Sequence, residues 1–215
     1  MEILSWLRSI DRARRNRRFQ GQREAFDAVL RTLGPGDLAL DCGANVGEYT
    51  VRMARTGATV HAFEPNRVAF DALSTAVAGF PNVTLHHAAL VTSAGPVKLY
   101  LHHRAKSDPL LRSVSSSLIV DKSNVSPEDF EMVEGIDIVA FMRELGAPVK
   151  LLKMDVEGAE VGLINRLLDV GLHEGIGHAF VEVHDRSVPS LREPTQALRE
   201  RLAALGATNF RLDWR

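Results

Sequence analysis

Asp37-Leu38-Ala39-Leu40-Asp41-Cys42-Gly43-Ala44-Asn45-Val46-Gly47 is the stretch that decides how the chain folds. A short apolar run ends in Asp41, small residues follow, and a helical pattern opens at Val46. Such a run, bounded by turn residues, reads as a buried strand feeding a helix. Glycine at 43 and 47 allows a tight turn and leaves room for a ligand beside the backbone. The helix offers unpaired N–H groups at its amino end. A dinucleotide site reads Gly-x-Gly-x-x-Gly and seats a diphosphate there. Here the order is Asp-x-Gly-x-Asn-x-Gly. A carboxylate directly before the turn repels a diphosphate and suits a ligand bearing an ammonium group.

Outward from this stretch, strands and helices alternate. The further strand candidates are Thr59–Glu64, Val83–Leu90, Val97–His102, Val149–Asp155, Ala179–His184 and Thr208–Trp214. Helical patterns cover Val46–Thr56, Arg67–Ala78, Ile138–Leu145, Ala159–Val170 and Leu191–Leu205. This alternation predicts an α/β fold with a mostly parallel sheet and helices on both faces. Two units are expected. Residues 1–33 form a basic N-terminal helical segment, with Phe26, Val29, Leu30 and Leu33 on one face and Gly34-Pro35-Gly36 as its stop. Residues 34–215 form the domain. Within it, His103–Ile136 breaks the rhythm and reads as a long irregular insertion on the acceptor side.

The bulk numbers exclude several classes. The chain has 215 residues, 45% hydrophobic and 25% charged, enough for one globular core. With a formal net charge of −1 there is no global field for nucleic acid, and none is expected as a partner. One cysteine, Cys42, excludes an intrachain disulfide and a cysteine-based zinc site, and suits a cytoplasmic location. No run reaches the length of a membrane span, so no integral membrane contact is expected, and no signal peptide is read at the start. Arg12, Arg14, Arg15, Arg17 and Arg18 form a short basic cluster. A solvated helix face is the preferred reading, and contact with an anionic or lipid-linked acceptor is the alternative.

The second half of the ligand signature is Phe63-Glu64-Pro65-Asn66. Glu64 lies about 20 residues past the glycine turn, the interval at which an acid meets ribose hydroxyls in such folds. Asn66 is placed to cap the next helix. These segments, with Leu152-Lys153-Met154-Asp155-Val156-Glu157-Gly158-Ala159-Glu160 and Val181-Glu182-Val183-His184, resemble the FkbM-type methyltransferases over roughly residues 37–214. The resemblance implies a class I methyltransferase (Rossmann-like) fold and S-adenosylmethionine as methyl donor. It also implies O-methylation, commonly on sugars or natural-product hydroxyls. The cofactor residues it implies are Asp41, Gly43, Asn45, Gly47 and Glu64, with Ala44, Pro65 and Asn66 beside them. At Ala88 and Ala89 the acidic residue that many methyltransferases use for adenine is absent, so backbone groups must serve. The chain as given ends soon after Thr208–Trp214, so the last antiparallel strand is expected to be missing or replaced.

Ligands of open α/β sheets bind beyond the carboxyl ends of the strands, where Asp155 and His184 stand. An alcohol that takes a methyl group must lose a proton. A neutral His184 imidazole is the first candidate for the base, with Asp155 or Glu157 orienting the acceptor or replacing it. Glu160 is read as a cap at the start of its helix. Period-two alternation puts Lys153 and Glu182 on matching faces of neighbouring strands, and an ion pair between them is expected. A divalent cation on Asp155, Glu157 and His184 is the alternative use of these groups, but no tight motif demands it and no metal is expected. Ser115, Ser116 and Ser117 are candidates for binding a polyhydroxylated small-molecule acceptor, and His86-His87 and His102-His103 are read as structural. Two rivals stand beside the methyltransferase. One is an NAD-type oxidoreductase, disfavoured by Asp41 and Asn45; the other is a non-catalytic protein that keeps the cofactor fold.

Overall fold

A computed structural model describes residues 20–102, 116–119 and 125–214. Helix α1 covers 20–30. Then follow β1 (Leu38–Cys42), α2 (Glu48–Ala54), β2 (Thr59–Phe63), α3 (Arg67–Val77), β3 (Val83–His86), β4 (Ala89–Val91) and β5 (Gly95–His102). The second half holds β6 (Val125–Asp137), α4 (Ile138–Leu145), β7 (Val149–Met154), α5 (Glu160–Asp169), β8 (Ile176–Val181), α6 (Arg192–Ala204) and β9 (Phe210–Arg211).

Six strands form the main sheet in the order β3-β2-β1-β7-β8-β9. Every pairing in it is parallel, including β8 with β9. The chain winds outward from β1 in one direction through β2 and β3, and outward from β7 in the other through β8 and β9. The switch between β1 and β7 opens a crevice at the carboxyl ends of the strands, where such sheets take their ligands. Beside β8 runs the parallel β9, followed among the described residues by a single antiparallel bridge, Glu182 to Asp213.

Two layers of helix cover the sheet, because successive strand residues point to opposite faces. Leu40, Cys42, Leu152 and Met154 face Ile138, Leu163, Ile164 and Leu198 of α4, α5 and α6. Ala39, Val60, Leu151 and Phe180 face Phe26 of α1 and Met53 of α2, while Ala62 meets Leu73 of α3. As expected from their spacing, Phe26, Val29 and Leu33 are buried. Phe26 joins Tyr49, Phe180 and Trp214 in an aromatic cluster, its ring 4.8 Å from that of Trp214. Arg52 binds Asp27 and lies over the Phe26 ring, tying α1 to α2.

Two expectations need correction. The stretch read as one strand, Val83–Leu90, is two: the chain leaves the main sheet at His87 and Ala88, and β4 starts a second sheet ordered β4-β6-β5. The stretch read as irregular, His103–Ile136, contains the 13-residue strand β6, antiparallel to β5 and parallel to β4. Gly135 makes this junction work. A Cβ there would sit 2.6 Å from the Gly95 carbonyl oxygen across the pair. The second sheet stands beside the carboxyl ends of β1, β2 and β7 and walls the crevice on its open side. Among the described residues, no helix is long and apolar enough to cross a membrane.

Candidate active site

One pocket occupies the crevice. It is lined by Gly43, Asn45, Phe63, Glu64, Pro65, Ala88, Ala89, Leu90 and Leu99, and on its far side by Ser116, Leu118, Asp155, Val156 and Glu157. The glycine turn forms its floor. Gly43 and Ala44 both donate their N–H to the Phe63 carbonyl, at 3.0 and 2.9 Å. Asp155 donates its N–H to Cys42 O at 2.9 Å. Gly43 has φ +78, and a Cβ on it would lie 1.8 Å from the Asp155 carbonyl oxygen. Only glycine fits there, because the turn after β1 and the loop after β7 touch.

Glu64 is 6% exposed and directly follows β2 at the pocket wall. Its carboxylate accepts Asn45 N–H and Asn66 N–H, each at 2.8 Å. Burial pushes its pKa up to about 7, against the pull of those two N–H groups. Each oxygen keeps a lone pair for a further donor. Asn66 caps α3 as expected, its Oδ1 accepting from Val68 and Ala69 N–H at 3.0 and 3.1 Å.

Asp41 does not line the pocket. It is fully buried beneath the turn, on the α2 side of the sheet. Thr50 Oγ1 donates to its Oδ2 at 2.6 Å, and Lys153 Nζ lies 3.3 Å from its Oδ1. Lys153 also donates to the Gly43 carbonyl at 2.6 Å. The expected Lys153–Glu182 pair is therefore replaced by Lys153–Asp41. The register explains it: Lys153 stands beside Asp41 on β1 and beside Phe180 on β8. Burial alone would lower the lysine pKa, but the charges of Asp41 and Asp155 raise it. Gly47 and Ala44 also turn away from the pocket. Gly47 packs against Leu73 of α3, and Ala44 joins the core with Ala62.

Past β7 the loop Asp155-Val156-Glu157-Gly158 carries the acids. Glu157 has φ 58, an uncommon conformation for a residue with a side chain, and strain of this kind collects at functional sites. Its Oε2 meets His184 Nε2 at 2.9 Å, and Asp155 Oδ1 lies 3.7 Å from the same nitrogen. Nδ1 of His184 meets Glu160 Oε1 at 3.0 Å. Glu160, fully buried, also accepts Val156 and Gly158 N–H, at 3.1 and 3.0 Å. It closes the loop ahead of α5 rather than capping the helix, whose N-cap Ala159 makes no side-chain cap bond, and it also grips the histidine. Both ring nitrogens of His184, the candidate base, thus face carboxylates. Burial lowers its pKa, but hydrogen bonds to Glu157 and Glu160 and their charges lift it to about 11. Asp155 lines the pocket, and burial raises its pKa above the usual carboxylate range while Lys153 pulls it down.

With the geometry in place, comparison with known proteins is informative. The Methyltransferase FkbM domain matches residues 41–207. The chain belongs to the FkbM methyltransferase family. No curated protein matches it. Solved structures similar to this FkbM domain include an rRNA methylase from Streptococcus thermophilus, at 10% identity and TM-score 0.46, covering 80% of this chain and 76% of that one. A putative rRNA-methylase from Clostridium thermocellum matches at 10% identity and TM-score 0.45, covering 82% and 80%. The sheet order and the family together make this a class I methyltransferase fold.

On the acceptor side of the FkbM domain the serines separate. Ser116 lines the pocket. Ser117 is 1% exposed and turns inward: its hydroxyl donates to Glu157 O at 2.6 Å and accepts Ile119 N–H at 3.0 Å. Ser117 thus fastens the acid loop to β5, where its backbone pairs with Tyr100. Ser115 and the arginines Arg12 to Arg18 lie outside the described residues. Phe63, Leu90, Leu99, Leu118 and Val156 line the pocket unforeseen. Apolar residues at strand ends resemble core residues in sequence, and only the bend at Ala88 brings them here. Cys42 is buried and its thiol pKa is raised by burial, as a core residue requires. His86 stacks on Phe63 at 4.4 Å and His61 contacts it at 3.1 Å, a structural pair.

Proposed function

We propose that the chain transfers the methyl group of S-adenosylmethionine to a hydroxyl oxygen of a polyhydroxylated small molecule, such as a sugar or a natural product. The supporting observation is that one pocket at the sheet's switch point holds Glu64, the Gly43 turn and the acids Asp155 and Glu157. The residues fit the donor. Glu64 offers lone pairs to a ribose diol, and Phe63, Ala88, Ala89, Leu90 and Leu99 give adenine an apolar slot. When bound, the donor supplies a methyl already activated on a sulfonium. The protein's task is then to hold the acceptor oxygen in line and take up its proton. Positioning contributes up to about 7–11 kcal/mol and a placed base about 10²–10⁴-fold. Asp155, half-buried at the pocket and raised in pKa by its surroundings, is the group that takes the proton. Ser116 and Leu118 stand where the acceptor enters. The single buried Cys42 suits a cytoplasmic enzyme.

Isothermal titration with S-adenosylhomocysteine and with NADH tests the donor. Saturable binding of the first and none of the second is expected; the reverse overturns the reading in favour of an oxidoreductase. Transfer of labelled methyl from S-adenosylmethionine into small-molecule extracts, with mass spectrometry of the product, tests the acceptor. A product methylated at nitrogen or carbon defeats the O-methylation half.

A further inference from the structure

The acid loop holds more negative groups than a methyl donor and an alcohol need. Asp155, Glu157 and Glu160 all converge on one imidazole. One oxygen atom from each of Asp155 and Glu157 and one nitrogen of His184 lie within 4.8 Å of one another. Ligand atoms about 2.1 Å from an ion stand at most about 4.2 Å apart, so small side-chain shifts close the set. Two further observations point the same way. Asp155 Oδ1 is shut off from solvent and accepts no hydrogen bond. Glu160, fully buried, fixes Nδ1–H of His184 and so directs Nε2 toward the two outer carboxylates. A buried carboxylate behind a histidine is the arrangement that orients metal-binding imidazoles.

We propose that Asp155, Glu157 and His184 bind one divalent metal ion, magnesium or manganese, at the acceptor end of the pocket. Two carboxylates and one imidazole, without a thiolate, favour these hard ions. Such ions keep several solvent positions, leaving room for the acceptor hydroxyl. The ion takes the place of the Nε2 proton, which leaves to solvent. Beside the ion the hydroxyl is easier to deprotonate. This trio is the alternative that stood beside the sequence-based expectation of no metal, and the convergence of the three side chains now favours that alternative. Only its role in catalysis rests on the methyltransferase reading; the site itself does not.

The test uses the full chain, stripped of metal and titrated with Mn²⁺. Electron paramagnetic resonance counts the bound ion, and pulsed spectra detect an imidazole nitrogen beside it. One saturable site per chain with nitrogen coupling is expected. Asp155→Asn, Glu157→Gln and His184→Ala should each weaken it at least about tenfold, and Glu160→Gln about 10–100-fold. No saturable binding, or wild-type binding without nitrogen coupling, overturns the proposal, and neither result depends on a variant folding. Undiminished binding in the folded variants overturns it too. Titration of S-adenosylhomocysteine in chelator, run in parallel, separates the two claims: its failure beside intact Mn²⁺ binding sinks the methyltransferase reading and leaves the metal site standing.

Discussion

Lys153 and Asp155 are two residues apart, yet they belong to different kinds of charged cluster. Below the glycine turn, Lys153 meets Asp41 one to one, with side chains 4% and 0% exposed. Thr50 donates to the other Asp41 oxygen, and Lys153 donates to the Gly43 carbonyl. Above the turn, three carboxylates share one histidine, and two of them reach the pocket. The lower cluster is balanced and sealed, which is what a buried ion pair must be to survive desolvation. The upper one is unbalanced and open, with charge left over for something that arrives. Charge balance and access, rather than residue type, separate bracing from chemistry here.

The sharpest way to break this contrast is Gly43→Ala, since Gly43 joins the two clusters. Its added Cβ collides with the Asp155 backbone, so a loss of more than about 4 kcal/mol in urea unfolding is expected. Near wild-type stability would show that the turn and the acid loop move independently. Next comes Lys153→Met. It leaves Asp41 buried without its counter-charge and should cost about 3–5 kcal/mol. Cofactor binding measured in whatever protein remains folded should survive. Asp155→Asn should behave the other way round, with turnover falling at least about 10²-fold. Its melting temperature and its affinity for S-adenosylhomocysteine should stay near wild type. If both variants lose stability alike, the distinction between the clusters fails.

The smallest effect concerns Glu64, buried like the lower cluster but facing the pocket like the upper. With its pKa at about 7, ribose hydroxyls meet an acceptor only above neutrality. S-adenosylhomocysteine should bind about tenfold more tightly at pH 8 than at pH 6. For stability the sign is opposite. A carboxyl whose pKa is raised on folding stabilises most below its unfolded value of about 4.5, loses that contribution as pH rises towards 7, and is flat beyond. A pH-independent affinity would remove Glu64 from the donor site.

Much of this architecture was legible before any coordinates. The run ending at Asp41, the glycine turn and the acids at strand ends follow from period and spacing, and the structure puts Gly43, Asn45, Glu64, Asp155 and Glu157 around one pocket. What escaped depended on neighbours. Alternation put Lys153 on the correct face, but the choice between Asp41 and Glu182 needed the register on both sides of β7. Strand β6 escaped because it looks like a solvated loop. Phe130 and Met132 are exposed, and Gly135 alone among its described side-chain positions is buried. Hydrogen bonds to β5 hold it in place, and backbone pairing leaves little trace in composition. The grip of Glu160 on His184 spans two strand exits and was invisible for the same reason.

Trp214 lies 2% exposed against Phe26, and the Tyr49 ring stands between it and the lysine of the sealed pair. The molecule therefore carries an optical gauge beneath its turn. An indole in so dry a setting emits at short wavelength, and the Tyr49 ring it packs against also lies 5.6 Å from the Lys153 ammonium. Shifts in that emission would report strain in the floor of the pocket from below the turn.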